Sequence, residues 1–323
     1  MVDQGRPVRV HVATNPASQL AGDFTEARVR ALAPLGAELS FGRSPDDLAE
    51  AEVLLLTGQM PLDDLDRRAP KLRWISYTSA GVEWLLKLAL PPRITLTNAS
   101  GTHAPKAAEY TLTAVLMLNT HLPYLLTQAR AHRWAPRAGG TVAGKTALIL
   151  GMGALGGAAA TALARQGMRV IGNSHSGRPH SAVSVMTLGD GFRAWLPEAD
   201  VLVIALPLTP ETAGLIGRAE LDLLPPHAGV VNIGRGEILD TEALAAKLTE
   251  GSLGGAVLDA LPQEPLPPES PLWDTPNLVI TPHCGLYDPT AYGQRCLEGF
   301  FANLHRFRNG AALEQVVEPG RGY

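Results

Sequence analysis

Between Lys145 and Arg165 the chain reads TALILGMGALGGAAATALA, 19 residues without a single charge. Length alone would let this stretch span a membrane. The four glycines in its middle argue instead for an apolar strand over 146–151, a tight turn and then a helix. Gly151, Gly153 and Gly156 have the spacing G-x-G-x-x-G. The pattern is weak by itself, but here it follows a strand and opens a helix, the context its chemistry needs. Glycines permit the turn and let backbone approach a pyrophosphate. The helix N-terminus then offers that anion free N–H groups and a partial positive charge.

The next strand bears on which dinucleotide fits. A site for the unphosphorylated form usually places Asp or Glu about 20 residues on, where it accepts from the ribose 2′-hydroxyl. Here VIGNSHSGRP puts Ser174 at that place, with His175 and Arg178 following and no carboxylate nearby. Absence of negative charge beside a guanidinium favours a 2′-phosphate, so NADP is expected ahead of NAD.

The remaining chain repeats the strand–helix theme. Early strand candidates are VRVHVAT (8–14), AELSF, VLLLTG (53–58), LRWISY and ITLTN (94–98), with helical spacing in FTEARVRALAPL and a capped helix start in SPDDLAEA. A second series begins at Thr141, with strands expected at 146–151, 169–174, 201–206, 229–234, 254–260 and 278–282. Apolar strands separated by helices point to parallel α/β sheets. Residues 103–133 are rich in Ala and Leu and mostly helical, broken near Pro123. Their broad apolar character suggests burial between domains or between subunits. A last helix is expected between Asp288 and Gly310.

Length and charge exclude several classes. A chain of 323 residues with 46% apolar and 18% charged residues suits two globular domains. The net charge of −4, with scattered Lys and Arg, leaves no basic stripe for nucleic acid. Cys284 and Cys296 are the only cysteines, too few for a disulfide framework. The N-terminus is polar and then strand-like, without the apolar core of a signal peptide. A cytoplasmic protein with no membrane association is expected.

VITPHCGLYDPT (279–290) sets His283 directly before Cys284. A shared metal site is not expected: adjacent residues on an extended chain point to opposite sides, and no second Cys or His pair has ligand spacing. Cys284 is expected to be a small buried residue.

Taken together, the chain resembles the D-isomer-specific 2-hydroxyacid dehydrogenases. The resemblance runs through NASGTHAPKAAEY, GKTALILGMGALG, ALPLTPETAGLIG (205–217), VVNIGRGEILD, VLDALPQEP and PLWDTPNLVITPHCG. The ordered set Arg235, Glu264 and His283, each inside its own local pattern, is far more specific than the glycine loop. Ala260-Leu261 stands where a Val-Phe pair is common in the family, and Ser174 where Asp is common.

This resemblance implies two doubly wound parallel-sheet α/β domains, a Rossmann dinucleotide-binding domain (99–287) inserted in a flavodoxin-like substrate domain (1–98 and 288–323). It also implies a homodimer. The expected cofactor contacts are Gly151, Gly153, Ala154, Leu155, Gly156, Ser174, His175, Arg178, Leu206, Pro207, Thr212, Ile233, Gly234, Asp259 and Gly285, with Asp259 near the nicotinamide carboxamide. The expected substrate contacts are Ser79, Ala80 and Gly81, through backbone N–H groups, together with Arg235 and His283.

The chemistry follows from these residue types. Reducing a 2-keto acid needs a hydride, a proton for the carbonyl oxygen and a grip on the carboxylate. The nicotinamide supplies the hydride. His283 would supply the proton, because imidazole titrates near working pH. Glu264 would fix its tautomer and stabilise imidazolium, as the third member of a triad does. Arg235 would hold carboxylate and carbonyl oxygen through a planar fork that lysine cannot copy. The expected substrates are small 2-keto or 2-hydroxy acids such as glyoxylate or hydroxypyruvate. Two alternatives share the scaffold: a 3-phosphoglycerate dehydrogenase-like enzyme, and a nucleotide-sensing, corepressor-like binding protein.

Overall fold

A computed structural model describes residues 6–18 and 20–318; the polar start of the chain, residues 1–5, lies outside them. The chain divides into two compact units, Met1–Thr102 with Asp288–Tyr323, and His103–Tyr287.

The first unit is built on five strands: β1 (Val8–Thr14), β2 (Ala37–Phe41), β3 (Val53–Thr57), β4 (Trp74–Tyr77) and β5 (Thr95–Thr97). Their order is β2-β1-β3-β4-β5 and every pair is parallel. That is the flavodoxin-like order. Strand β3 is buried along its whole length, which explains its continuous run of leucines. The helix Tyr292–Arg308 returns to this unit, where Phe300 stacks on Trp74 with ring centroids 5.2 Å apart. Trp74 is fully buried and donates from Nε1 to Thr97 Oγ1 at 2.8 Å, so its one polar atom is satisfied. SPDDLAEA forms only a single 3₁₀ turn, Pro45–Leu48. Ser44 and Asp47 complete a capping box there, but the turn stops where the chain must enter β3.

The second unit carries seven strands: β6 (Thr146–Leu150), β7 (Arg169–Asn173), β8 (Val185–Thr187), β9 (Val201–Ile204), β10 (Gly229–Asn232), β11 (Gly255–Leu258) and β12 (Leu278–Ile280). The order is β12-β11-β10-β9-β6-β7-β8, again parallel throughout. This is the doubly wound dinucleotide-binding order with a seventh strand added, and it reverses direction between β6 and β9. The expected α/β class with two parallel sheets is thus what forms, with β8 as an additional strand.

The uncharged stretch resolves into β6, the glycine turn and the helix Ala154–Arg165. Among the described residues no helix is long and apolar enough to cross a membrane. Its alanines are functional in packing: Ala159 and Ala160 share one core with Ala107, Ala114 and Val115 of the helix Ala104–Asn119. Small side chains let the two helices approach closely. The 103–133 segment breaks at His121, whose φ is +57°, and resumes as the helix Leu122–Arg130. One side of the segment is therefore core within this unit, while Leu116, Leu122 and Leu126 remain partly exposed and Trp134 fully so.

Candidate active site

In a doubly wound sheet, ligands meet the carboxyl ends of the strands at the point where strand order reverses. Here the loop after β6 is the glycine turn. Gly151 has φ +93°, which favours glycine, and a Cβ there would press on the Ala205 carbonyl after β9. At Gly156 a Cβ would collide with the carbonyl of Gly151, so the helix begins directly against the turn. Gly153 is the N-cap, exposed and without a side-chain cap bond, and nothing stands within 4 Å of a Cβ built on it. The first-turn N–H groups around Ala154 and Leu155 therefore face open space. This turn fits a pyrophosphate both sterically and electrostatically.

After β9, Leu206 lies beside the same turn, its N 2.9 Å from a Cβ built on Gly151, and Pro207 follows it. A Cβ at Gly234, after β10, would meet the Leu206 carbonyl. Thr212 organises this loop from within: its Oγ1 donates to the Pro207 carbonyl at 2.7 Å and accepts from Thr209 N–H at 2.8 Å. Ile233, after β10, is buried. After β7, Ser174 Oγ accepts from Gly177 N–H at 3.0 Å, so its hydroxyl holds the loop 174–177 closed. His175 and Arg178 stand exposed on that loop.

The loops after β10, β11 and β12 carry the three candidate catalytic side chains. Arg235 follows β10, half-buried, with Nη1 donating to the Gly234 carbonyl at 3.0 Å. The Arg235 carbonyl accepts from Asn232 Nδ2 at 3.0 Å. Gly236 packs on the backbone of Leu261 so closely that any Cβ would collide with it. Leu261 in turn donates its N–H to Glu264 Oε1 at 2.9 Å. The other carboxylate oxygen, Oε2, lies 2.8 Å from His283 Nδ1. Backbone packing and two hydrogen bonds thus connect the three loops.

The turn bearing His283 is locally constrained. His283 has φ +50°, a left-handed backbone that is uncommon outside glycine. Its N–H donates to the Thr281 carbonyl at 2.9 Å. Asp259, 2% exposed, accepts at Oδ1 from the N–H groups of Cys284 (3.2 Å) and Gly285 (2.9 Å) and from the Thr281 hydroxyl (2.6 Å). The chain is therefore not extended at His283, as the argument from alternating side chains assumed. Cys284, expected to be buried, is exposed. Its N–H is drawn inward to Asp259, which leaves the side chain on the outer side of the turn.

In the first unit, Ser79, Ala80 and Gly81 form the half-buried turn after β4. The Ser79 carbonyl accepts from Ala99 N–H at 3.1 Å and the Ala80 carbonyl from Asn98 Nδ2 at 2.9 Å. The turn's carbonyls are thus fixed by the neighbouring segment.

Comparison with known proteins identifies the family. The family model for the NAD-binding domain of D-isomer-specific 2-hydroxyacid dehydrogenases matches residues 112–285. The chain belongs to that family. It is 34% identical over 245 residues to the glyoxylate reductase of Aeropyrum pernix, covering 73% of each chain. The family's 2-hydroxyacid dehydrogenase from Xanthobacter autotrophicus Py2, solved in complex with NADPH and MES, superposes with a TM-score of 0.86 at 29% identity, over 97% of this chain and 99% of that one. The NADPH-dependent glyoxylate/hydroxypyruvate reductase of Sinorhizobium meliloti, in complex with NADP and sulfate, gives 0.82 at 31% identity, over 98% and 100%. This 2-hydroxyacid dehydrogenase is accordingly an NAD(P)-dependent oxidoreductase of CH–OH groups.

Several residues that build this candidate site carry little signal in the sequence. Gly236 and Leu261 matter through backbone packing, which no residue pattern announces. Thr281 stands two residues before His283 and reads as the end of a strand. The one available hint was Asp259, a carboxylate placed directly after the apolar run of β11.

Proposed function

We propose that this dehydrogenase reduces small, unbranched 2-keto acids of the glyoxylate and hydroxypyruvate type, with NADPH ahead of NADH and His283 as the proton donor. The observation that carries this reading is the 2.8 Å contact between His283 Nδ1 and Glu264 Oε2. A carboxylate can only accept, so Nδ1 bears a hydrogen and Nε2 is the nitrogen free to exchange a proton with substrate.

The nicotinamide, when bound, supplies a hydride to the keto carbon. In the same step imidazolium Nε2–H gives its proton to the carbonyl oxygen, leaving neutral imidazole and a 2-hydroxy acid. Glu264, accepting from Nδ1, stabilises the imidazolium before transfer. Arg235 holds the substrate carboxylate and carbonyl oxygen, and the Ser79–Gly81 turn offers backbone N–H groups to the other carboxylate oxygen. The glycine turn holds the pyrophosphate, with Leu206, Pro207, Thr212, Ile233, Gly234, Asp259 and Gly285 lining the remaining path of the dinucleotide.

We assign dinucleotide binding to residues 99–287 and substrate binding to 1–98 with 288–323. NADPH preference rests on the carboxylate-free loop 174–178, where His175 and Arg178 are exposed and available to a 2′-phosphate. The S. meliloti reductase, solved with NADP, supports the same choice. A homodimer is favoured by the exposed apolar side chains Leu116, Leu122, Leu126 and Trp134, which water would otherwise cover.

Initial rates with glyoxylate, hydroxypyruvate, pyruvate and longer 2-keto acids, each with NADPH and NADH, test this reading. Turnover confined to the small acids and faster with NADPH is expected. Tight cofactor binding without turnover on any acid would instead mark a nucleotide-sensing protein.

A further inference from the structure

A chain of three hydroxyl and carboxylate groups runs beneath the His283 turn. Tyr110, on the helix Ala104–Asn119, places its hydroxyl 2.6 Å from Thr281 Oγ1. Thr281 Oγ1 lies 2.6 Å from Asp259 Oδ1. The same Oδ1 receives the backbone N–H groups of Cys284 and Gly285, the two residues after His283.

The direction of this chain follows from the groups themselves. Asp259 as a carboxylate only accepts, so the single hydroxyl hydrogen of Thr281 points to it. Thr281 then has only lone pairs to offer Tyr110, and the phenol must donate. That requires a protonated phenol. Burial pushes the Tyr110 hydroxyl up to about 12, and the Thr281 bond only partly offsets this. The phenol is therefore a donor throughout the range in which the enzyme can be assayed.

Tyr110 also acts sterically. A Cβ on Gly285 would collide with the Tyr110 ring, so the ring is the floor on which the turn rests. His283 keeps a left-handed φ of +50°, a conformation that persists only where surroundings over-determine it. The surroundings here are Asp259, fed by Thr281, and Tyr110 beneath.

We propose that Tyr110 is a positioning residue for the proton donor, holding the His283 turn through Thr281 and Asp259. This rests on the reading of His283 as the proton donor. Tyr110 touches neither substrate nor imidazole in this scheme; it acts by keeping the imidazole where proton transfer needs it. Its effect is expected on kcat, since a misplaced general acid slows the chemical step.

The experiment uses the whole 323-residue chain, glyoxylate as substrate and NADPH as cofactor. Tyr110→Phe keeps the ring floor and removes only the donor. Its kcat should fall about tenfold, the worth of one well-placed hydrogen bond. Thr281→Val should show a similar loss and Thr281→Ser should restore most of it. In a His283→Ala background, Tyr110→Phe should cause no further loss, because its route to the reaction has been removed. A kcat within about twofold of wild type for Tyr110→Phe, or an equal fractional loss with and without His283, would overturn the proposal. If Tyr110→Phe unfolds, the Thr281 pair decides: equal losses for Ser and Val overturn it. A His283→Ala enzyme with undiminished kcat would instead refute the proton-donor reading and the proposal with it.

Discussion

Glu264 and His283 are paired across 19 residues of chain, Oε2 to Nδ1 at 2.8 Å, from loops that follow the neighbouring parallel strands β11 and β12. The pair is half-exposed, so its strength depends on how firmly each partner is held. Glu264 is held by the Leu261 N–H on its other oxygen. His283 is held by a turn tied to Asp259. The arrangement can maintain one tautomer of the imidazole because both ends are anchored in backbone.

Glu264→Gln tests the charge in this pair while keeping its shape. A neutral amide can still accept from Nδ1–H but stabilises imidazolium far less. We expect kcat for keto-acid reduction to fall by roughly 10²- to 10⁴-fold with NADPH affinity unchanged. Steady-state kinetics together with cofactor fluorescence measure both. A loss of less than about threefold would show that Glu264 does not support His283.

Gly236→Ala tests whether the Arg235 loop depends on its contact with Leu261. The added methyl has no room, because it would overlap the Leu261 backbone. Overpacking of this kind costs about 1–3 kcal/mol. We expect a lowered melting temperature and a raised KM for glyoxylate, since Arg235 is the adjacent residue and must shift with the turn. Thermal unfolding unchanged from wild type would mean the loops separate without cost.

Much of this architecture is legible in the sequence, and what is not has identifiable causes. Strands β6, β7, β9, β10 and β11 announce themselves as apolar runs because each is buried on both faces of a parallel sheet. Strand β8 does not: Val185–Thr187 is three residues long and half-buried, too short for any periodicity. Arg235, Glu264 and His283 are recognisable from their local patterns. The backbone at His283 is not, since a left-handed φ there follows from Asp259, 24 positions earlier, accepting the next two N–H groups. The exposure of Cys284 is a consequence of the same turn. Tyr110 looks like one more residue of an apolar helix, and its partner Thr281 lies 171 residues away.

Arg178 offers a test of cofactor choice. Its side chain stands exposed on the loop after β7, and the sequence from Asn173 to Ser184 carries no carboxylate. Arg178→Ala should weaken NADPH by roughly tenfold and leave NADH within about twofold. The NADPH loss should shrink at high salt, because an exposed ion pair is screened. Equal losses for both cofactors would rule out a contact with the 2′-phosphate.

The two thiols should differ sharply in reactivity. Cys284 is exposed, whereas Cys296 is buried and its thiol is pushed up to about 11, chiefly by loss of solvent. The thiolate is the reactive form, so at pH 8 Cys296 combines poor access with a very small thiolate fraction. Titration of the native enzyme with a chromogenic disulfide should release one equivalent quickly, and the second only in denaturant. Cys284→Ser should abolish the fast phase. Two fast equivalents in the native state would contradict the burial of Cys296.

His11 gives the fold a defined response to acid. It lies inside β1, 1% exposed, with Nδ1 2.9 Å from Ser40 Oγ and Nε2 3.1 Å from the Gly42 carbonyl. Burial lowers its pKa below the ordinary value, against smaller opposing contributions from the Gly42 carbonyl and the Asp47 charge. A histidine depressed in the folded state binds fewer protons there than in the unfolded chain. Above the unfolded pKa of about 6.5 both states are neutral and nothing is lost. As pH falls through that value towards the folded pKa, the unfolded chain takes up the proton first and stability declines. Urea unfolding at pH 8 and pH 5.5 should therefore show a lower midpoint in acid. His11→Gln, which can still meet Ser40 and Gly42 but does not titrate, should reduce the difference between the two pH values. An identical pH difference in the variant would show that the acid response originates elsewhere in the chain.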